Sequence, residues 1–92
     1  MKTTEFIEKV EAAGFSTLKQ NIAPRQYGPN PYESIPVIFV CKDEENAIHV
    51  GEFEKWLLES AYYKYAFLSD ADKDALMALA VEYIATDPEN RI

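Results

Sequence analysis

Residues 37–50 read VIFVCKDEENAIHV. A β-branched, apolar run meets a polar break and then a second apolar run, which is the pattern of a β-hairpin. A four-residue turn at Asp43 to Asn46 places Val37, Phe39, Cys41, Ile48 and Val50 on one face. Ile38, Val40 and His49 then share the other, because side chains alternate along a strand with a period of two. Both faces carry apolar groups. One is expected to take helices; the other needs cover from a loop, from the aromatic stretch that follows, or from a partner.

Upstream of the hairpin, residues 4–13 put Phe6, Ile7, Val10 and Ala13 on one helical face, with Thr4 as N-cap. Gly14 stands where a left-handed residue ends a helix, and Phe15 follows it, placed to fold back on Val10 in a Schellman motif. FSTLKQNI, residues 15–22, predicts a short strand. Residues 23–36, APRQYGPNPYESIP, hold four of the five prolines and one of the three glycines, so this stretch is expected to be a loop.

Downstream, EFEKWLLESAYYKYAF (52–67) supports two readings. Phe53, Trp56, Leu57 and Ala61 fit a helix, whereas the aromatics from Tyr62 to Phe67 fit an extended segment. Ser69 and Asp72 form a capping pair, and Asp70, Asp72 and Asp74 suit the positive end of a helix dipole. Leu76, Leu79, Ala80, Tyr83 and Ile84 recur at helical spacing until Asp87-Pro88, which predicts a helix over 70–86. The expected architecture is α+β: a small antiparallel sheet of about three strands packed by an N-terminal and a C-terminal helix.

The 92 residues show no break in composition, so residues 1–92 are expected to form one domain around one core. Sixteen acidic residues against nine basic ones give a net charge of -7, which repels phosphates and anionic lipid. Direct nucleic-acid or membrane binding is therefore not expected. No apolar run approaches the roughly 20 residues that span a bilayer, and MKTTEFIEKVEAAGF is amphipathic where a signal peptide would be apolar. A cytoplasmic location follows as an expectation. Cys41 is the one cysteine, compatible with a reducing compartment and unable to form an internal disulfide.

Several chemistries can be weighed on spacing. Asp70, Asp72 and Asp74 match the first three ligands of an EF-hand loop, but Ala75 stands where its glycine belongs and Val81 where its bidentate glutamate belongs. Cys41 and His49 suggest a thiol–imidazole pair; the four-residue turn sends them to opposite faces, and a one-residue slip in register would bring them together. His49 has no neighbours at zinc-ligand spacing. Glu52 with Glu54, or Asp43 with Glu44 and Glu45, are paired carboxylates in polar, solvated positions. The three glycines are isolated, which leaves no phosphate loop and no nucleophile elbow. No metal, no cofactor and no catalytic residue is expected, and the chain is not expected to be an enzyme.

The aromatic cluster is the feature best suited to touching something. Trp56, Tyr62, Tyr63 and Tyr65 fall within ten positions and combine large contact area with polar tips. Most of them are expected to finish the core, with the rest available as a surface. Tyr27 and Tyr32, in the proline loop, are expected to be exposed. The candidate protein-binding residues are thus Tyr27, Tyr32, Trp56, Tyr62 and Tyr63. The acidic excess offers a competing reading, a DNA mimic that inhibits a nucleic-acid-binding host enzyme. Lys42, Lys55 and Lys73 interrupt the acidic patches that such a mimic needs.

KTTEFIEKVEAAGF at residues 2–15 and YKYAFLSDADKDALMALAVEYIATDPENR at residues 63–91 resemble small uncharacterised proteins of phages and prophages of Gram-positive bacteria. The likeness rests on an aromatic before Leu68, the helix opening at Asp70 to Lys73, Glu82-Tyr83, Thr86, and a proline followed by an acidic residue and Arg91. A strand with a turn between the two ends is common in such proteins, a place Lys42 to Val50 would take. The stretch APRQYGPNPYESIP departs from that pattern, as does Asp87 between Thr86 and Pro88. The resemblance implies expression inside an infected or lysogenic bacterial cell; together with the proline loop and the aromatic cluster it leads to the expectation of a small accessory protein that binds a host or phage protein. It implies no catalytic residues and no oligomeric state.

Overall fold

The hairpin closes through two residues, not four. In the computed structural model, which describes residues 1–22 and 34–92, Asp43 and Glu44 have φ of 52° and 65°. Two successive left-handed residues are the signature of a type I′ turn, whose twist matches that of the flanking strands. Tightening the turn by two residues would by itself leave the faces unchanged. Beyond the turn, however, Cys41 pairs with Asn46 while Val40 pairs with Ile48, so Ala47 is an extra residue, a β-bulge. That single insertion overturns the expected faces. Ile38, Val40, Ile48 and Val50 now share one side, and Val37, Phe39, Cys41 and His49 the other.

The sheet has four antiparallel strands in the order β1-β2-β3-β4: β1 Ser16–Ile22, β2 Ile35–Lys42, β3 Glu45–Gly51 and β4 Leu58–Glu59. β2 begins inside the stretch expected to be loop, since Ile35 and Pro36 pair with Ile22 and Asn21. Residues 23–33, with Tyr27 and Tyr32, lie outside the described residues. β4 is only two residues long and pairs with His49 and Val50.

Helices α1 Thr3–Ala12 and α3 Asp70–Ala85 cover one face, as the α+β expectation has it. The cap of α1 is Lys2 and not Thr4; the Glu5 carboxylate accepts from the Lys2 amide at 3.3 Å. At its other end Gly14 has φ 97°, the Phe15 amide donates to the Val10 carbonyl at 3.1 Å, and the Gly14 amide donates to Glu11 at 3.0 Å. This is the Schellman motif that the sequence predicts. α3 starts as expected, with the Ser69 hydroxyl accepting from the Asp72 amide at 3.1 Å. Phe6 and Val10 of α1 and Leu76, Ala80 and Tyr83 of α3 are fully buried against Ile38, Val40, Ile48 and Val50. Full burial of each large apolar side chain contributes on the order of 1.5–3 kcal/mol, which is what fixes the helices to this face.

Between β3 and α3 the two readings of residues 52–67 exchange places. Residues 52–57 form a loop where Phe53, Trp56 and Leu57 suggest a helix, and Tyr63–Ala66 form a short helix, α2, where extended structure fitted.

Candidate functional site

The loop after β3 is built by a residue far away in sequence. A 3₁₀ turn at Pro88–Asn90 follows α3 and delivers Arg91 into the interior, where it is 2% exposed. Its Nη1 donates to the carbonyls of Gly51 and Glu52 at 3.1 and 2.9 Å. Nη2 reaches Ile84 at 3.2 Å and, more loosely, Glu54 at 3.5 Å; Nε donates to Thr86 at 2.9 Å. The guanidinium carbon lies 4.5 Å from the Tyr83 ring centre. A buried cation is tolerated here because its donors meet carbonyl oxygens, two of them at the negative end of α3, and the ring face of Tyr83. The Tyr83 hydroxyl donates to Glu52 at 2.9 Å, and the Thr3 hydroxyl lies 2.8 Å from it.

These bonds explain why the loop is not a helix. The carbonyls of Gly51, Glu52 and Glu54, which would serve as helical acceptors, are taken by Arg91. The Gly51 amide donates to Leu57 at 3.0 Å, closing the loop so tightly that a Cβ on Gly51 would lie 2.9 Å from the Glu54 oxygen. Trp56 is held at φ 65°, unusual for a bulky residue, by its amide's bond to Ile84 at 2.9 Å. Its side chain points away from the core and is 63% exposed, and Phe53 is exposed on the same loop.

A second aromatic display lies on α2. Tyr63 is 82% exposed and Phe67 71% exposed, with ring centres 5.2 Å apart, the separation of a four-residue helical step. Tyr62, next to Tyr63 in sequence, turns the opposite way. It is half-buried, its hydroxyl lies 2.6 Å from His49 Nδ1, and its ring meets Phe39 and His49 edge-on at 6.2 and 5.7 Å. Tyr62 thus covers the helix-free face of the sheet with Leu57 and Ile22, over Ile35, Val37 and Phe39. Tyr65 is half-buried and packs against the main core. Of the five candidate residues, Trp56 and Tyr63 are displayed, Tyr62 is engaged by the sheet, and Tyr27 and Tyr32 lie outside the described residues.

The remaining candidates are accounted for by their contacts. The bulge puts Cys41 and His49 on one face, correcting the expected separation, but their side chains bond elsewhere: Cys41 Sγ to Asn46 Oδ1 at 3.2 Å and His49 to Tyr62. Burial pushes the Cys41 thiol up and away from the thiolate a nucleophile needs, with a hydrogen bond to Ser16 opposing it. Burial also lowers the pKa of His49, against the pull of Glu59, and raises that of the Tyr62 phenol. Glu52 pairs with Lys19 at 3.1 Å, and Lys64 bridges Asp43 at 2.9 Å and Glu45 at 3.9 Å. The bond from Lys64 holds the exposed Asp43 carboxyl below its ordinary range. Asp70, Asp72 and Asp74 belong to the first turns of α3, and Asp72 faces Lys42 at 3.9 Å.

Among the described residues, no group of three or more His, Cys, Asp and Glu is placed to hold a metal ion, and no helix is long and apolar enough to cross a membrane. The Arg91 clamp is the feature that sequence reasoning missed. Its one signal is a lone arginine just past a proline-stopped helix, where free carbonyls wait for a donor. Comparison with protein-family models, with curated proteins and with solved structures found no match.

Proposed function

We propose that this chain is a small phage or prophage accessory protein that works by binding a host or phage protein in the bacterial cytoplasm, without catalysis. The phage setting rests on the resemblance of residues 2–15 and 63–91. The binding reading rests on one observation: Trp56 is exposed on a loop whose backbone is pinned to α3 and Arg91. An aromatic carried on backbone that is already ordered loses less freedom on docking than one on an unanchored loop, so more of its burial goes into affinity. Tyr63 and Phe67 offer a second anchor of the same kind, and Tyr62 supports the scaffold. Tyr27 and Tyr32 belong to the reading on sequence grounds.

Affinity capture from a Gram-positive host lysate tests it, using the whole chain beside Trp56→Ala, Tyr63→Ala with Phe67→Ala, and Tyr27→Ala with Tyr32→Ala. A protein held by the parent chain and lost from the Trp56 variant is the expected result. Equal retention by all forms ends this reading. The acidic-mimic alternative has less support, because Lys9, Lys19, Lys42, Lys55 and Lys64 each lie within 4.0 Å of a carboxylate and break up a phosphate-like array. It predicts that added DNA and salt strip the captured protein; neither is expected to do so.

A further inference from the structure

The two edges of the sheet are finished differently. At one, β4 is a two-residue strand and α2 lies against β3 beside it. At the other, all seven residues of β1 pair with β2 in unbroken register, with neither proline nor bulge, leaving an outer row of backbone groups with no strand beside it among the described residues. Natural sheets usually blunt such an edge, since it is a ready template for another strand. Leu18, at its centre, is 50% exposed. The stretch from Ala12 to Ile22 carries one lysine and no carboxylate, in a chain of net charge -7.

We infer that β1 is the contact surface for a second copy of this chain, joined antiparallel about a two-fold axis at Leu18. The partner follows from the strand's own pattern. With Leu18 opposite Leu18 of the other copy, Thr17 falls opposite its Lys19 and Ser16 opposite its Gln20. Thr17 and Lys19 are on the helix-covered side, opposite Val40 and Ile38 of β2, and the Thr17 hydroxyl already donates to Glu11 Oε1 at 3.1 Å. Each Lys19 therefore arrives beside a carboxylate of the other copy, twice by symmetry, while the two exposed leucines cover one another on the opposite side. Lys19 is paired with Glu52 at 3.1 Å within its own chain, yet its side chain is 54% exposed and reachable. A register centred on Lys19 sets like charges face to face and is disfavoured. Two acidic molecules meet in this way where each is least negative.

Sedimentation equilibrium of the full chain from low to high micromolar concentration tests this without reference to any other partner, so its outcome is independent of the capture experiment. A monomer–dimer equilibrium is expected. Leu18→Glu and Leu18→Lys, each alone, weaken it at least about tenfold, the equivalent of 1.4 kcal/mol, and an equimolar mixture of the two restores dimer. Glu11→Lys weakens it as well and serves as a second probe at another site. Far-UV circular dichroism and melting establish that each variant is folded. A parent chain that stays monomeric throughout, a Leu18→Glu form that dimerises like the parent, or a folded mixture that fails to pair overturns the inference.

Discussion

β2 presents two apolar faces, and the molecule covers them by different means. On one, Ile38 and Val40 lie under two helices that bring Phe6, Val10, Leu76 and Tyr83. On the other, among the described residues, Ile35, Val37 and Phe39 are met by smaller pieces: Leu57 from the clamped loop, Ile22, and Tyr62 bonded to His49. The first is a helix-on-sheet core in which apolar area does the work. The second is a thin layer whose cover stays put because polar groups anchor it, the phenol to an imidazole and the loop to a guanidinium. Among the described residues, a strand buried on both sides has helices over one side only, and the cover on the other is held by these polar anchors.

The largest effect is expected where the two layers share an anchor. Arg91→Met keeps much of the volume but removes the donors to five carbonyls, and should cost about 3–4 kcal/mol in denaturant unfolding. A loss under about 1 kcal/mol would mean that the loop holds its shape without the clamp. The most direct probe of the contrast is a matched pair. Val37 and Val40 are both fully buried in β2 and face opposite ways. Val40→Ala should cost about 2.5 kcal/mol and Val37→Ala about 1.5, because the thin layer can settle into the space more readily than two helices can. Equal costs would erase the distinction. Tyr62→Phe keeps the ring and removes one hydrogen bond, for about 1 kcal/mol by the same measurement.

The smallest effect concerns pH. The native pKa of His49 lies below its unfolded value of 6.5, so at acid pH the unfolded chain binds more protons than the native one. Its contribution is complete above that value and is lost as pH falls through 6.5 toward the depressed native pKa. Unfolding curves at pH 7.5 and pH 5.5 should show the decline, and His49→Gln should flatten it within this window. A decline unchanged by the substitution would assign it to other groups.

Legibility in the sequence follows how local each determinant is. The two terminal helices were readable because Ser69, Gly14 and Phe15 act within a few residues and their bonds form as expected, although the N-cap of α1 moved from Thr4 to Lys2. The hairpin was readable too, but its faces were not: a turn two residues shorter and one bulged alanine act together, and only the bulge changes which residues meet the helices. Residues 52–57 could not be read locally, since the carbonyls of Gly51, Glu52 and Glu54 are claimed by an arginine 37 or more positions later. At the candidate site, Tyr62 and Tyr63 are indistinguishable as letters. The start of α2 sends one onto the sheet and the other into solvent.

Trp56 is the only tryptophan in the chain, and its amide is tied to the last full turn of α3. The indole is therefore a built-in optical probe of a single junction. Its emission, compared with the far-UV signal of the sheet and helices during denaturation, reads whether this junction opens with the rest of the fold or apart from it.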